Sequence, residues 1–346
     1  MKTFYVGLDN QLLMIKEKEH TYELISHLEK YKVNRLVFDP QNTGWLYVAT
    51  NHGFWRSEDG GKSYAQMNNG LSTMKLTTIA INSQKNAKGN HTLYVGVEPS
   101  MLFYSEDRGA NWIEFTGMQE LPSKSKWSFP PRPETHYVRW ITPSKLDPDY
   151  LAVSIEAGAV FQTTNHGKTW SDRAEIGPID VHTLLTHPDA PSRLYAANGG
   201  LVSNNGNESY AESYDGGHSW EFFSEGLEKH PYLYHMVLHP NDPDFRLVSA
   251  SENASKAHGE DRYSTIYFKN GTEDWVELAD GLPKTNAFSH HLVNDPNSIG
   301  AFYALNNFGI YHLAADSTTW VKVTIPWTKD LAEMRPYFFK VVVHNR

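Results

Sequence analysis

Short apolar runs recur along this chain, each bounded by polar or glycine-rich stretches. Leu46-Tyr47-Val48-Ala49, Leu93-Tyr94-Val95-Gly96, Leu194-Tyr195-Ala196-Ala197 and Phe302-Tyr303-Ala304-Leu305 are one such run. Phe4-Tyr5-Val6-Gly7 repeats it near the N-terminus. A second run precedes the first. It reads Leu36-Val37-Phe38-Asp39-Pro40, Leu184-Leu185-Thr186-His187-Pro188 and Met236-Val237-Leu238-His239-Pro240. Short segments rich in β-branched and aromatic residues, flanked by turn residues, read as strands. Their recurrence points to a repeat architecture.

An eight-residue pattern follows the strands. It is Ser57-Glu58-Asp59-Gly60-Gly61-Lys62-Ser63-Tyr64, then Ser105 to Trp112, Thr163 to Trp170 and Ser213 to Trp220. Its form is Ser/Thr-x-Asp-x-Gly-x-Thr-Trp. The acid or amide accepts backbone N–H bonds inside a hairpin turn, and glycine supplies a positive φ. The chemistry of these aspartates is used up in closing the turn, so they are turn residues rather than catalysts. Weaker copies run from Gly271 to Trp275, from Asp316 to Trp320 and from Glu17 to Tyr22. The terminal aromatics are then Tyr22, Tyr64, Trp112, Trp170, Trp220, Trp275 and Trp320.

One aromatic per blade predicts an all-β, seven-bladed β-propeller of four-stranded antiparallel blades in one domain, 1–346. The blades fall near 340–346 with 1–30, then 31–73, 74–118, 136–176, 180–227, 232–282 and 288–325. The N-terminal blade lacks its innermost strand, and Val341-Val342-Val343-His344 fits the gap. The last strand is therefore expected to join the first three and close the ring, which removes unpaired edges.

Composition narrows the partners. The formal charge is −9 and the pI about 6.0, against the clustered Lys/Arg that nucleic acids and anionic membranes require. There are no cysteines, which excludes disulfides and thiolate metal sites. Met1 to Tyr22 shows no secretory apolar run, and no stretch approaches the ~18 apolar residues of a membrane helix. A cytoplasmic monomer taking a small-molecule or carbohydrate ligand is the expectation.

Candidate chemistry gathers where the second strands end. That face also carries the long segments Gln119–Tyr137, Gly199–Tyr210, Asn253–Arg262 and Ile325–Pro336, and insertions mark a functional face. Asp9, Asn51, Glu98, Glu156, Asn198, Glu252 and Asn306 align blade by blade. Arg35, Arg139, His182, His235, His290, His291 and Lys340 open the innermost strands, with His136 just before one of them. Trp127 lies in the first insertion, with Phe129 to Pro133, as a pocket wall. The plain alternative is that the two rings neutralise each other and tie blades together, since unit charges ~4 Å apart attract by about 4 kcal/mol at an effective dielectric near 20.

The repeat is similar to that of the Asp-box (BNR) propellers, and the resemblance covers essentially the whole chain. That family includes sialidases, xyloglucanase-type glycoside hydrolases, sortilin-type receptors and photosystem II assembly factors. The mouth admits three readings. A glycosidase would use paired carboxylates from Asp9, Glu98, Glu156 and Glu252, with Trp127 stacking on sugar and Arg35, Asn51, Arg139, Asn198, Asn306 and Lys340 binding. However, Asn51 stands where xyloglucanase-type enzymes carry an acid, and no Phe/Tyr-Arg-Ile-Pro motif is present. A metal-dependent lyase or hydrolase would hold a divalent ion (Mn, Fe or Zn) on His182, His235 and His290 or His291, with Glu252 nearby and His258 and Glu260 in reach. A binding scaffold would need no catalytic group, and the net charge of −9 sits poorly with the basic patch expected of the assembly factors.

Overall fold

The computed structural model describes residues 1–19, 21–200 and 208–344. Among these, the strands pair into seven antiparallel sheets, the blades of a β-propeller. The first strands of blades 1 to 7 are Pro336–Val343, Val33–Phe38, Leu76–Lys85, Val138–Pro143, Val181–His187, Tyr232–His239 and His291–Asn294. The second strands are Lys2–Leu8, Leu46–Thr50, His91–Val97, Leu151–Ile155, Ala190–Asn198, Asp242–Ser251 and Phe302–Asn306. Six sheets have four strands. Blade 4 has three, and the single bridge Gln162–Ser171 stands in the fourth place.

The predicted closure is present. Pro336–Val343 runs antiparallel to Lys2–Leu8, with Phe4 opposite Val341 and Lys2 opposite Val343. The strand begins at Pro336, earlier than its valine run suggests. The insertion around 199–210 falls largely outside the described residues.

Contacts divide the chain into two compact units. One is Met1–Lys30, Ala197–Tyr210 and Phe222–Arg346; the other is Tyr31–Ala196 and Ala211–Glu221. Each has its own apolar clusters between blades. In the first unit Phe4, Val6, Leu305, Phe339 and Val341 pack together. In the second, Val153, Ile155, Phe161 and Trp127 form part of another.

The Asp-box turns are as predicted. Asp59 Oδ1 accepts the N–H groups of Lys62 and Ser63, each at 3.0 Å, and its Oδ2 accepts the Ser63 hydroxyl at 2.6 Å. Asp107, Asn165 and Asp215 repeat the arrangement. Arg108 and Gly109, like His166 and Gly167, both have positive φ, as a type I′ turn demands. Hydrogen bonds from Ser63 hold the Asp59 carboxyl well below the usual range. These acids are locked in turn closure.

A further repeat emerges only from the packing. Gly70-Leu71, Gly226-Leu227 and Gly281-Leu282 each follow an outer strand. A Cβ on these glycines would lie 2.1, 2.3 and 2.1 Å from the carbonyl oxygens of Trp112, Trp275 and Trp320. The indole N–H of each tryptophan donates to the residue just past the preceding blade's outer strand: Met67, Phe223 and Leu278. The glycine lets the chain approach; the tryptophan then stitches neighbouring blades.

Candidate functional site

The first strands of blades 2, 3 and 4 carry a bulge near their start, and it decides which side chains meet. Val138 pairs Ile155 and Trp140 pairs Ser154, so Arg139 is the extra residue. The equivalent extra residue is Asn34 in blade 2 and Thr77 in blade 3. Bulges re-aim side chains. Asn34 donates to the Leu76 carbonyl and Thr77 to the Val138 carbonyl, both ties to the next blade. Arg35 is therefore the register equivalent of Trp140, not of Arg139. This one-residue slip corrects the alignment expected from the sequence.

Arg139 is aimed instead at Glu156. The second strand of blade 4 ends at Ile155, and the Glu156 N–H donates to the Tyr137 carbonyl at 3.1 Å. Ala157 then takes a left-handed φ of 48°. The Gly158 N–H reaches the carbonyls of Ile155 and Ile179. This tight turn sets the Glu156 carboxylate between two blades. Its Oε1 lies 3.2 Å from His182 Nε2, and its Oε2 lies 3.2 Å from Arg139 Nε. His182 Nε2 is also 3.8 Å from Asp180 Oδ1. The ligand atoms of Glu156, Asp180 and His182 all fall within 4.8 Å of one another.

Depth grades the cluster. The side chains of His182 and Asp180 are 1% and 4% exposed, Glu156 9% and Arg139 21%. Burial alone would raise the Glu156 pKa, but the charges of His182 and Arg139 outweigh it and hold it at about 2. Burial pulls His182 down, yet Glu156 and Asp180 together push it above its ordinary value. Asp180 goes the other way from Glu156. Burial raises it and the Glu156 charge adds, while His182 opposes. Both Asp180 oxygens are buried without a hydrogen bond of good geometry. The two carboxyls thus sit side by side with their proton affinities pushed apart.

The other predicted residues have different employments. Glu98 is forked by Arg132 through both oxygens. Asp9 is exposed and accepts the Arg335 backbone N–H at 3.1 Å. Glu252 is exposed, with no hydrogen-bond partner among the described residues. Asn51 Oδ1 accepts the Lys32 N–H, and Asn198 donates to the Glu208 carbonyl. His290 is wholly buried, bonded to Ser264 and Asn306, and burial lowers its pKa to about 3. Asn306 spends its Oδ1 on the Phe308 N–H. His291 bonds the Pro336 carbonyl, and His235 accepts the Leu292 N–H. These three imidazoles hold blades together. Lys340 is exposed on the closing strand.

Trp127 is not a sugar platform. It is 5% exposed, stacks on Phe161 with centroids 5.7 Å apart, and donates to Ser123 Oγ. A Cβ at Gly158 would come 3.1 Å from its ring. The indole instead backs the turn that presents Glu156. Stacking on a ligand requires an open ring face, which burial has used. His136 packs edge-on against the same indole.

Asp180 escaped the sequence reading. It stands one residue before the strand Val181–His187, where no strand pattern marks it.

Comparisons place the chain among known proteins. The family model described as photosynthesis system II assembly factor YCF48 matches residues 17–181. A xyloglucanase of Hypocrea jecorina (strain QM6a) is 34% identical over 124 residues, covering 35% of this chain and 14% of that protein. Among solved structures, a GH74 enzyme of Niastella koreensis superposes with a TM-score of 0.62 at 13% identity, over 92% of this chain and 53% of that one. YCF48 bound to D1 peptide gives 0.58 at 17% identity, over 87% and 82%.

The chain is a seven-bladed β-propeller with BNR-type (Asp-box) turns.

The propeller spans only a small part of its xyloglucanase relative, and the structural likenesses speak for the fold. What this cluster can do follows from its charges. Glu156, Asp180 and His182 offer one ligand atom each to a cation. Yet His182 is pushed toward its protonated form, and Arg139 already sits against Glu156. A divalent ion would have to displace one positive charge and contend with another. Paired carboxyls of opposite proton demand suit acid–base work better. Among the described residues no helix is long and apolar enough to cross a membrane.

Proposed function

We propose that this propeller is a carbohydrate-active protein of hydrolase type, with Glu156 and Asp180 as its paired carboxyls. The observation that carries the reading is their division. Glu156 is held ionised by His182 and Arg139, whereas burial raises Asp180. Glycoside hydrolysis asks for this division, with one carboxyl able to give a proton and the other charged. In the proposed reaction substrate entry uncovers Asp180, whose oxygens are buried in the free protein, and Asp180 protonates the leaving oxygen as the glycosidic C–O bond breaks. Glu156 steadies the developing positive charge at the sugar carbon, and water supplies the new C–O bond, its proton restoring Asp180. The xyloglucanase relative supports the substrate class.

A second reading is a non-catalytic recognition module. It is favoured by the family match over residues 17–181, which ends beside Asp180, and by the likeness to YCF48 bound to D1 peptide. Reducing-end release from xyloglucan and from acidic oligosaccharides separates the two. Turnover lost in Asp180→Asn supports hydrolysis; binding without turnover supports recognition.

A further inference from the structure

Arg35 occupies an unusual position. Its guanidinium carbon sits 3.5 Å from the centroid of the Trp140 ring. Arg35 pairs with Ala49 in its sheet as Trp140 pairs with Ser154 in blade 4. Equivalent positions of two blades thus meet, with Thr77 and Thr78 of blade 3 at the same register level. The stack fixes the plane of the fork. Its edge is unclaimed: among the described residues Arg35 has no carboxylate within 4.0 Å and makes no side-chain hydrogen bond.

The charges nearby do not supply a partner. Arg139 lies close enough for its charge to depress Arg35 further, after burial, to about 9. Arg35 therefore stays charged at neutral pH. Glu156 is spoken for by Arg139 and His182. A guanidinium presents its N–H groups in a planar fork that matches a carboxylate with two bonds. Here the fork is pre-set by stacking, so little freedom is lost on binding.

We propose that Arg35, held on Trp140 and assisted by Arg139, is the subsite for a carboxylate on the ligand, so that the sugar recognised beside Glu156 is an acidic one. The sugar part of this inference rests on the proposed function; the carboxylate part does not. The ligand class is a uronate-type sugar acid, its carboxylate on Arg35 and its hydroxyls toward Glu156.

The test is calorimetric titration of the full chain with D-glucuronate and with D-glucose, which share a ring and differ in the carboxylate. Glucuronate is expected to bind more tightly than glucose. Arg35→Ala should weaken glucuronate by about 10- to 100-fold, the worth of a charge-assisted bond. Arg35→Lys should recover part of that loss at most, because lysine keeps the charge without the fork. Trp140→Phe retains a ring and should retain most of the affinity, provided its melting curve matches wild type. Inorganic phosphate is the competing probe. Phosphate that binds as tightly as glucuronate, with the same Arg35 dependence, overturns the sugar-acid assignment in favour of simple anion capture. Equal affinity for glucose and glucuronate, or no change in Arg35→Ala, overturns the subsite. Arg35-dependent glucuronate binding without hydrolysis of any substrate would leave this subsite standing and remove the hydrolase reading.

Discussion

Replacing Glu156 by Gln keeps the shape of the side chain and removes its charge. The folded protein holds this carboxyl at about 2 against an ordinary value of 4.5. At about 1.4 kcal/mol per pKa unit, that depression corresponds to about 3 kcal/mol of folding stability at neutral pH. A depressed carboxyl stabilises the fold above its unfolded pKa, and the contribution disappears as pH falls through the folded value. The difference between wild type and Glu156→Gln should therefore be full above pH ~5 and shrink toward zero between ~4.5 and ~2. For 346 residues the unfolding entropy is about 0.7 kcal/mol per kelvin, so the neutral-pH loss amounts to about 4 °C in melting temperature. Thermal melts of both proteins from pH 2 to 7 read this directly. His182 has the opposite sign. Its raised pKa stabilises the fold below about 6.5 and loses that effect as pH rises through the folded value. A wild-type minus Glu156→Gln difference that stays flat from pH 7 to 2 would refute the charge network.

Two further outcomes test the frame that holds the site. Gly281→Ala places a Cβ 2.1 Å from the Trp320 carbonyl at a φ of +85°, and should melt well below Gly60→Ala. Gly60 has φ +75° but no atom within 4 Å of its added Cβ, so it bears the left-handed penalty of roughly 1–2 kcal/mol alone. Equal melting temperatures would remove the role given to close approach. Deleting residues 341–346 takes away the partners of Lys2, Thr3 and Phe4 and should destabilise the closing blade, seen as lost hydrogen-exchange protection at Lys2–Leu8. Unchanged protection would contradict closure by the C-terminal strand.

Much of this fold is written in short-range signals. Asp-x-Gly closes the same turn wherever it stands, so four good copies and three worn ones counted the blades. The valine run at the C-terminus matched a missing strand for the same reason. The site was harder to read, because it depends on register at one-residue precision. A bulge placed Arg139 against Glu156 and turned Arg35 onto Trp140, and no local pattern marks where a bulge falls. Glu156, Arg139 and His182 were named from their strand-end positions. Asp180 was missed because it precedes its strand. The matched histidines misled in an instructive way: His235 and the neighbouring pair His290 and His291 lie near strand starts because blades need hydrogen bonds between them. Trp127 looked available in the sequence, yet burial decides whether an indole meets a ligand or a wall.

The most direct test of the account is turnover by Glu156→Gln, Asp180→Asn and Asp107→Asn on xyloglucan and on glucuronate-bearing oligosaccharides. The Asp107 variant converts one Asp-box to the asparagine that Asn165 already carries, where the turn is intact. The account predicts a loss of about 100-fold or more in the first two, the usual worth of a positioned acid or base, and wild-type activity in the third. Wild-type turnover in Glu156→Gln and Asp180→Asn, or no turnover of either substrate by the wild-type protein, would contradict it.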